Sequence, residues 1–408
     1  MKRRQCRVCP RRHVLTLLWG LWPGPRSCIL RGLLGRRAAR PIRHTWEAPV
    51  FSERTSVGLD VHARSVVAHG IDELTGEVFT GRLVPDAGVV VDWLGRLPGP
   101  VATLYEAGPT GFGLARSVRA AGIRCEVAAP SKLQRPAGER VKTDARDAEH
   151  LCRLLRLDEF TSVRVPDEAT EAARDLVRAR EDCRSDLMRS RHRVSKLLLR
   201  HGIVWSGGGA WTNLHLAWLR TQQLGDPAAQ WAFEEALDQV LTTLARRERL
   251  DARIEALAAA SAWTPVVRRL GCLRGISILT GFALAVEIGD WSRFDGNTIG
   301  SYLGLVPSEY SSGGSRALGP ITKTGNGHVR RLLVEAAWHH NPAYRVGTTL
   351  QARWAFASPA ARARGDAGNW RLHTRWARFE TRNKNHNVAT IAIARELAGW
   401  CWSLAMIE

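Results

Sequence analysis

Four carboxylates in the first half of the chain have residue types and spacing that suit metal-dependent phosphoryl transfer. Asp60 lies in the middle of an apolar run, VGLDVH, and Glu106 ends another, VATLYE. Asp144 and Asp147 are three residues apart in a helical pattern, so they share one helix face. A carboxylate inside an apolar strand is costly unless it is paired or binds a cation. Two Mg²⁺ ions about 4 Å apart need oxygen ligands from several elements, so we predict a metal site at these four residues.

The elements that must position the carboxylates follow an α/β pattern. Residues 55–83 alternate around the turn LTGE, which predicts strands joined as hairpins. Helical and strand-like segments then alternate, and the last helix follows Thr143, a predicted N-cap. Strand Asp, strand Glu and helix Asp in this order is the layout of an RNase H-like (RuvC-like) core, which we predict over residues 52–165. The competing interpretation is a set of exposed turn acids, in which Asp144 only caps its helix.

A second candidate group lies in the segment LGLVPSEYSSGGSRALGPITKTGNGHVRRLLVEAAW. Ser311 and Ser312 precede two glycines in a flexible loop, and Lys323, Arg330 and Arg331 follow. A serine nucleophile beside cations suits phosphoryl transfer, because guanidinium groups stabilise the charge that develops on phosphorus. The spacing indicates no general base, and on the chemistry alone a Ser-Gly linker is the stronger interpretation.

Two long helical patterns, 168–201 and 229–260, predict a helical coiled-coil connector over residues 166–262. The outer face of the first pattern carries cations and no acid: Arg189, Arg191, Arg193, Lys196 and Arg200. This stripe is either a solvated face or a surface that tracks phosphates. Residues 263–408 are predicted to be a mainly helical domain that holds the serine loop.

The C-terminal region contains two further candidate contacts with phosphate. Around Gly275 the pattern resembles a helix–hairpin–helix, in which backbone N–H groups face phosphate, and the alternative is an ordinary helical turn. Residues 353–384 hold eight Lys/Arg against two acids, with tryptophans between them. We predict a nucleic-acid surface that includes Arg375 and Arg378, with a solvated basic face as the alternative.

The charge balance indicates the class of partner. The 408 residues include 59 Lys+Arg and 39 Asp+Glu, and the net charge of +20 favours a polyanion. Residues 1–50 hold 12 of these cations and a single acid. We expect residues 1–51 to be a basic leader that is disordered or follows a misassigned start, with Val50 as a start codon read as internal.

The eight cysteines are scattered through the chain, which predicts reduced thiols in a cytoplasm rather than a disulfide framework. Cys6, Cys9 and His13 have zinc-like spacing but lack a convincing fourth ligand, although Cys28 completes a set on paper. No run approaches the roughly 18 apolar residues of a membrane-spanning helix. We therefore expect a cytoplasmic protein of two to three domains that does not enter a membrane.

The motifs VGLDVH, YEAGPTG, KTDARDAEHL and GLVPSEYSSG…ITKTGNGHVRRLLVEAAW together resemble the transposases of insertion-sequence family 110, the DEDD transposases guided by a bridge RNA. The resemblance covers about residues 52–405, and the last motif is its most specific part. The order GLVPSEYSSGG…ITK is similar to the subgroup with subterminal inverted repeats. The resemblance implies an N-terminal RuvC-like domain, a coiled-coil connection and a C-terminal transposase domain with a nucleophilic serine.

The resemblance also implies roles for individual residues. The family serine lies five residues after the proline of G-L-x-P and directly before glycine, which here is Ser312, while the adjacent Ser311 is the competing candidate. By position, the DEDD ligands of two Mg²⁺ ions are Asp60, Glu106, Asp144 and Asp147. The implied reaction forms a phosphoserine–DNA intermediate, and strand exchange then excises the element and inserts it at a target. The implied partners are DNA, a guide RNA and further copies of the chain, in a dimer or tetramer with a composite site.

Three other functions compete with this interpretation. A structure-selective DNA endonuclease of the RuvC type would need only the four carboxylates and would keep strand cleavage without Ser312. An actin-like sugar kinase has a similar opening hairpin, but the chain has no convincing pair of glycine-rich phosphate loops downstream. A non-catalytic nucleic-acid-binding protein descended from a transposase would have no need for the complete set of carboxylates and serine.

Overall fold

The computed structural model describes residues 53–133 and 143–407, which we call the described residues. The basic leader, Val50 and the zinc-like set at Cys6, Cys9 and His13 lie outside them. So does the first residue of the motif KTDARDAEHL, which belongs to the gap at residues 134–142. The predictions made for the leader therefore remain predictions.

A five-stranded mixed sheet forms the N-terminal part of the described chain, in the order β3-β2-β1-β4-β5. The strands are β1 (Thr55–Val61), β2 (Val66–Asp72), β3 (Val78–Leu83), β4 (Val101–Glu106) and β5 (Arg124–Ala128). The first three pair antiparallel as hairpins, whereas β4 is parallel to both β1 and β5. The mixed α/β pattern predicted from the sequence is confirmed.

Helices cover both faces of this sheet. One face packs against α1 (Ala87–Gly95) and α2 (Gly113–Ala120), and the other against α3 (Asp144–Arg156). Thr143 caps α3 by accepting a hydrogen bond from the N–H of Arg146 at 3.4 Å, as predicted. Gly58 in β1 allows α3 to approach, because a Cβ there would lie 3.0 Å from the carbonyl carbon of Leu151 and closer still to the backbone of Ala148.

Two helices of 33 residues each form an antiparallel arm. They are α4 (Glu168–Arg200) and α6 (Pro227–Ala259), and the short α5 (Asn213–Leu219) lies in their connection. Arg180 pairs with Asp251 across the arm at 2.7 Å, which fixes the alignment of the two helices. Apolar side chains fill the seam between them, among them Leu187, Val194, Phe233 and Val240.

The C-terminal part is mainly helical, as predicted. Its helices are α7 (Thr264–Leu270), α8 (Ile278–Ile288), α9 (Thr298–Tyr302), α10 (Gly327–Trp338), α11 (Thr348–Trp354), α12 (Pro359–Thr381) and α13 (His386–Ala405). A small hairpin of β6 (Pro307–Glu309) and β7 (Leu318–Ile321) lies between α9 and α10. Short 3₁₀ turns cover Pro130–Lys132 and Trp291–Arg293. Within the described residues, every helix is too short or too polar to cross a membrane.

The turn between α7 and α8 is packed into the C-terminal core. Gly275 has a φ of +78°, and a Cβ there would lie 2.8 Å from the Cα of Ala336 in α10. Ile276 is fully buried, and its N–H donates to the carbonyl of Leu273 at 3.3 Å. That N–H is engaged within the chain, which favours the ordinary helical turn over the phosphate-facing interpretation.

Candidate active site

Asp60 and Asp144 meet because α3 runs antiparallel to β1. The thiol of Cys152 donates to the carbonyl of Ser56 at 3.2 Å, so the second half of α3 lies beside the start of β1. The first turn of α3 therefore lies beside the end of β1, where Asp60 projects from the face that α3 covers. One ligand atom from each of Asp60, His62 and Asp144 lies within 4.8 Å of the other two.

His62 is a site residue that the prediction did not include. Its Nε2 lies 2.9 Å from Oδ2 of Asp60, in a hydrogen bond, and 4.0 Å from Oδ1 of Asp144. The His62 side chain is 55% exposed, whereas that of Asp60 is only 15% exposed. The available signal was the D-x-H spacing in VGLDVH, since residues two apart at a strand end share a face.

The charge at Asp60 is destabilised by its surroundings. Burial raises the pKa of Asp60, His62 lowers it, and the charges of Asp147 and Asp144 raise it again, with a net rise. A bound cation would offset both the burial and the repulsion between carboxylates. Two carboxylates and an imidazole are ligands that suit a divalent ion, so this donor set fits a metal site.

Glu106 and Asp147 lie at the same edge of the sheet. Leu59 of β1 pairs with Tyr105 of the parallel strand β4, so Asp60 and Glu106 follow on neighbouring strands, which lie about 4.8 Å apart. The ligand atoms of Glu106 and Asp147 are not part of the cluster within 4.8 Å, as far as the described residues go. Asp147 lies on the first turn of α3 and acts on Asp60 through its charge.

Ser312 lies at the exposed tip of the β6–β7 hairpin. Its N–H donates to the carbonyl of Ser315 at 3.2 Å and its carbonyl accepts from the N–H of Ser315 at 3.1 Å, which closes a tight turn. The hydroxyl of Ser311 donates to Glu309 at 2.8 Å, and Glu309 pairs with Arg316 at 3.1 Å. The hydroxyl of Ser312, in contrast, forms no hydrogen bond to a described residue, so it is the freer of the two serines.

The base of this hairpin is held together by backbone contacts. Gly304 and Gly325 have φ values of +64° and +67°, and a Cβ on either would overlap the backbone of the facing segment. Arg330 donates to the carbonyls of Leu303 at 2.9 Å and Thr324 at 2.7 Å, one on each side of the hairpin. Arg330, which we predicted to contact nucleic acid, therefore ties the two sides of the hairpin together.

A buried carboxylate joins the hairpin to the arm. Glu287 of α8 is 4% exposed and accepts hydrogen bonds from Arg178 of α4 at 3.0 and 3.1 Å. It also accepts one at 2.8 Å from Asn326, the N-cap of α10 that directly follows the hairpin. Burial alone would raise the pKa of Glu287, but the nearby His328 and Arg178 outweigh it and lower the pKa to about 2.

The other predicted nucleic-acid contacts divide into paired and free cations. Arg331 pairs with glutamates of α4 and α10, and Arg375 pairs with a glutamate of α13. Lys323 and Arg378 are exposed, and their side chains form no hydrogen bond or ion pair with the described residues. Trp376 is fully buried, so the basic stretch 353–384 contributes to the core as well as to the surface.

A cleft of about 880 Å³ lies between the sheet and the C-terminal helices. Ala107 and Gly108, which directly follow Glu106, line one side of it, and Thr324 and Asn326 at the base of the serine hairpin line the other. Further cations line the cleft: Lys132, Arg164, Arg174, Arg178 and Arg293. The cleft therefore extends from the segment after Glu106 to the base of the hairpin, while none of the four predicted carboxylates and neither serine lines it.

Comparison with known proteins places this architecture in a family. A family model described as "Transposase IS116/IS110/IS902 family" matches residues 267–354, and the model of the DEDD transposases of IS110, described as "Transposase", matches residues 57–203. "Putative transposase y4qE" of Sinorhizobium fredii is 38% identical over 384 residues, which are 92% of this chain and 95% of that protein. "Transposase for insertion sequence element IS1533" of Leptospira borgpetersenii is 27% identical, over 82% of this chain and 99% of that protein. The chain therefore belongs to the IS110 family of insertion-sequence transposases, which are DNA-cleaving enzymes.

Proposed function

We propose that this transposase excises and inserts its element by metal-dependent cleavage and exchange of DNA strands. Ser312 is the proposed nucleophile, and the proposed metal ligands are Asp60, Glu106, Asp144 and Asp147. The observation that carries the proposal is the convergence of β1, β4 and α3 on one edge of the sheet, where ligand atoms of Asp60 and Asp144 lie within 4.8 Å of each other and Glu106 and Asp147 lie on the same elements. A central strand with Asp, a parallel neighbour with Glu and the strand order 3-2-1-4-5 also support an RNase H-like core.

Mg²⁺, as two ions, is the cation that we propose for the carboxylate edge. The oxygen donors and the raised pKa of Asp60 support a hard divalent cation there. When bound, such ions offset the negative charge of the scissile phosphate and of the entering and leaving oxygens. The chain itself orients the donors, since α3 holds Asp144 against β1 and His62 hydrogen-bonds one oxygen of Asp60.

In the proposed reaction, the hydroxyl oxygen of Ser312 attacks a DNA phosphorus atom. The Oγ–P bond forms while the bond from phosphorus to a deoxyribose oxygen breaks, and the proton of the serine hydroxyl ends on that oxygen. The phosphoserine link conserves the phosphodiester, so the hydroxyl of another DNA end can attack it and rejoin the strands. The free Ser312 hydroxyl at an exposed tip supports this role, and the engaged Ser311 hydroxyl supports a bracing role.

We further propose that a guide RNA selects the target and that two or four copies of the chain share composite sites. The net charge of +20 and the exposed Lys323 and Arg378 support a nucleic-acid-rich assembly. RNase treatment of the purified protein should abolish site-selective insertion, and light scattering should give the mass of a dimer or tetramer. Selective insertion that survives RNase, or that a monomer performs, would contradict these two proposals.

The central experiment follows a supercoiled plasmid that carries the element ends. Asp60→Asn should abolish Mg²⁺-dependent strand cleavage, because it removes a charged ligand from the carboxylate edge. Ser312→Ala should abolish the covalent protein–DNA adduct that survives SDS, because no other oxygen replaces its Oγ. Asp92→Asn, at an exposed helix position, and Ser311→Ala are the matched controls and should retain both activities.

Each outcome separates one function from another. Cleavage that persists in Ser312→Ala would favour an endonuclease of the RuvC type, which needs only the carboxylates. Loss of the adduct in Ser311→Ala but not in Ser312→Ala would identify Ser311 as the nucleophile. Full cleavage by Asp60→Asn would refute the carboxylate site itself.

A further inference from the structure

The cations of α4 fall into two classes along the helix. In its first part the arginines all have partners within the chain: Arg174, Arg178, Arg180 and Arg184. Residues 168–186 contain six acids, whereas residues 187–200 contain none. In that distal part Arg193, Lys196 and Arg200 are exposed, and their side chains form no hydrogen bond or ion pair with the described residues.

The distal cations share one face of the helix. Arg189, Arg193, Lys196 and Arg200 follow one another at steps of four, three and four residues, so they form a stripe about 16 Å long. The opposite face of α4 is buried against α6, so the stripe faces solvent. Arg189 also pairs with Asp186 of the preceding turn. Arg191 is not part of the stripe, because its guanidinium packs over the ring of Trp211 at 5.1 Å.

Such a stripe works against the stability of the arm. Like charges three or four residues apart on a helix repel each other. In α6 the exposed cations Arg246, Arg249 and Arg253 also stand three and four residues apart, but Glu248 and Asp251 lie in the same stretch of helix and reduce its net charge. The stripe of α4 has no such acids. Its charges therefore do not stabilise the fold. A polyanion that neutralises the stripe would remove the repulsion.

We propose that this distal face of α4 binds the phosphate backbone of double-stranded DNA. DNA is the polyanion that a transposase handles, and three unpaired cations at helical spacing can each neutralise one phosphate. The face lies on the arm and includes none of the carboxylates or serines described above, so the proposal does not depend on the proposed catalytic residues. It assigns the arm a binding function in addition to its structural one.

The test compares two triple variants of the full chain in binding to a 30-base-pair DNA duplex. R193Q/K196Q/R200Q should reduce the slope of log affinity against log salt concentration by between two and three, at about 0.9 for each lost phosphate contact. Affinity at low salt should fall at least tenfold. The melting temperature should stay the same or rise, because like-charge repulsion is removed, whereas a structural role for these residues would lower it.

The matched control is R246Q/R249Q/R253Q, which removes the same charge from the same arm. It should change the salt slope by less than one. Equal losses in both variants would reduce the effect to net charge and overturn the proposal, as would an unchanged slope in the α4 variant. A loss confined to an RNA duplex of equal length would overturn the choice of DNA. A changed oligomeric mass with intact DNA affinity would mark the face as an interface between copies of the chain.

Discussion

The imidazole of His62 changes which ions the carboxylate edge can hold. Carboxylate oxygens suit Mg²⁺, Ca²⁺ and Mn²⁺, while an imidazole nitrogen adds preference for transition ions. We predict that His62→Ala weakens Mn²⁺ binding by roughly tenfold and leaves Mg²⁺ binding within about twofold. Calorimetric titration of the metal-free protein with each ion measures both values.

His192→Ala is the control for this prediction, because that histidine is exposed on the arm, far along the chain from the carboxylates. It should leave both affinities unchanged. An equal loss for Mg²⁺ and Mn²⁺ in His62→Ala would mean that the ring orients Asp60 and does not itself approach the ion.

Residue types alone indicate part of the candidate site. Asp60 stood out as an acid in an apolar strand, and that argument depends only on the cost of burying charge. The same argument applies to Glu287, an acid in the apolar run ILTGFALAVEI. His62 is harder to predict, since its role depends on the position of Asp144 in the folded protein. Local sequence does not predict that position, because β1 and α3 are about 80 residues apart in the chain.

The docking of α3 on β1 decides whether the carboxylates meet, and Gly58 permits that docking. We predict that Gly58→Ala destabilises the fold by about 3 kcal/mol, since a Cβ would meet the helix backbone, which cannot rotate away as a side chain does. Strand cleavage should be lost as well, because α3 must move and carry Asp144 away from Asp60. Urea unfolding measures the first effect and plasmid cleavage the second.

Gly95→Ala is the matched control at the end of α1, where a Cβ would have no atom within 4 Å. It should change stability by less than about 1 kcal/mol and retain cleavage. The prediction is wrong if Gly58→Ala behaves in the same way.

At the level of elements, the strands and helices themselves were predictable from alternation, helical spacing and the Thr143 cap, all of which act over a few residues. Their arrangement was not. The helix–hairpin–helix interpretation of Gly275 matched a local pattern, but the turn packs against Ala336, 61 residues later. A contact between residues so far apart in the chain depends on the assembled core, so the local sequence pattern does not predict it.

Across the whole molecule, the Glu287 network connects the arm, the C-terminal core and the serine hairpin. Its folded pKa is lowered from 4.5 to about 2, so the carboxylate stays charged in the fold after it would protonate in the unfolded chain. The resulting stability is present above pH 4.5 and is lost as the pH falls towards 2. We predict that Glu287→Gln costs on the order of 3 kcal/mol at pH 7 and that this difference shrinks between pH 5 and pH 3.

Urea unfolding of both proteins at several pH values checks this prediction. Arg180→Gln serves as the control, because it removes an ion pair of the same arm without touching Glu287. Its effect should depend much less on pH over that interval. A difference between wild type and Glu287→Gln that stays constant from pH 5 to pH 3 would contradict the assigned pKa.

The net charge predicts a polyanionic partner but does not predict which surface of the protein binds it. Arg330 and Arg331 are predicted to stabilise phosphate beside the serine, and Arg375 to lie on a nucleic-acid surface, yet each is engaged within the chain. Arg193, Lys196 and Arg200 in distal α4 are cations as well, and their side chains form no hydrogen bond or ion pair with the described residues. Whether a cation is free depends on which acid folds beside it, and composition carries no such information.

The contacts of the described residues attach the arm to the rest of the chain at one end, so the arm can act as a lever. Arg174 and Arg178 attach its root to α8, and the 22 residues from Arg178 to Arg200 extend about 33 Å from that anchor. A rotation of about 10° at the root would carry the tip sideways by about 6 Å, which exceeds the roughly 3.4 Å of duplex axis per phosphate of one strand. With DNA bound at the distal face of α4 as we propose, a small movement at Glu287, beside the serine hairpin, would displace the tip relative to that DNA.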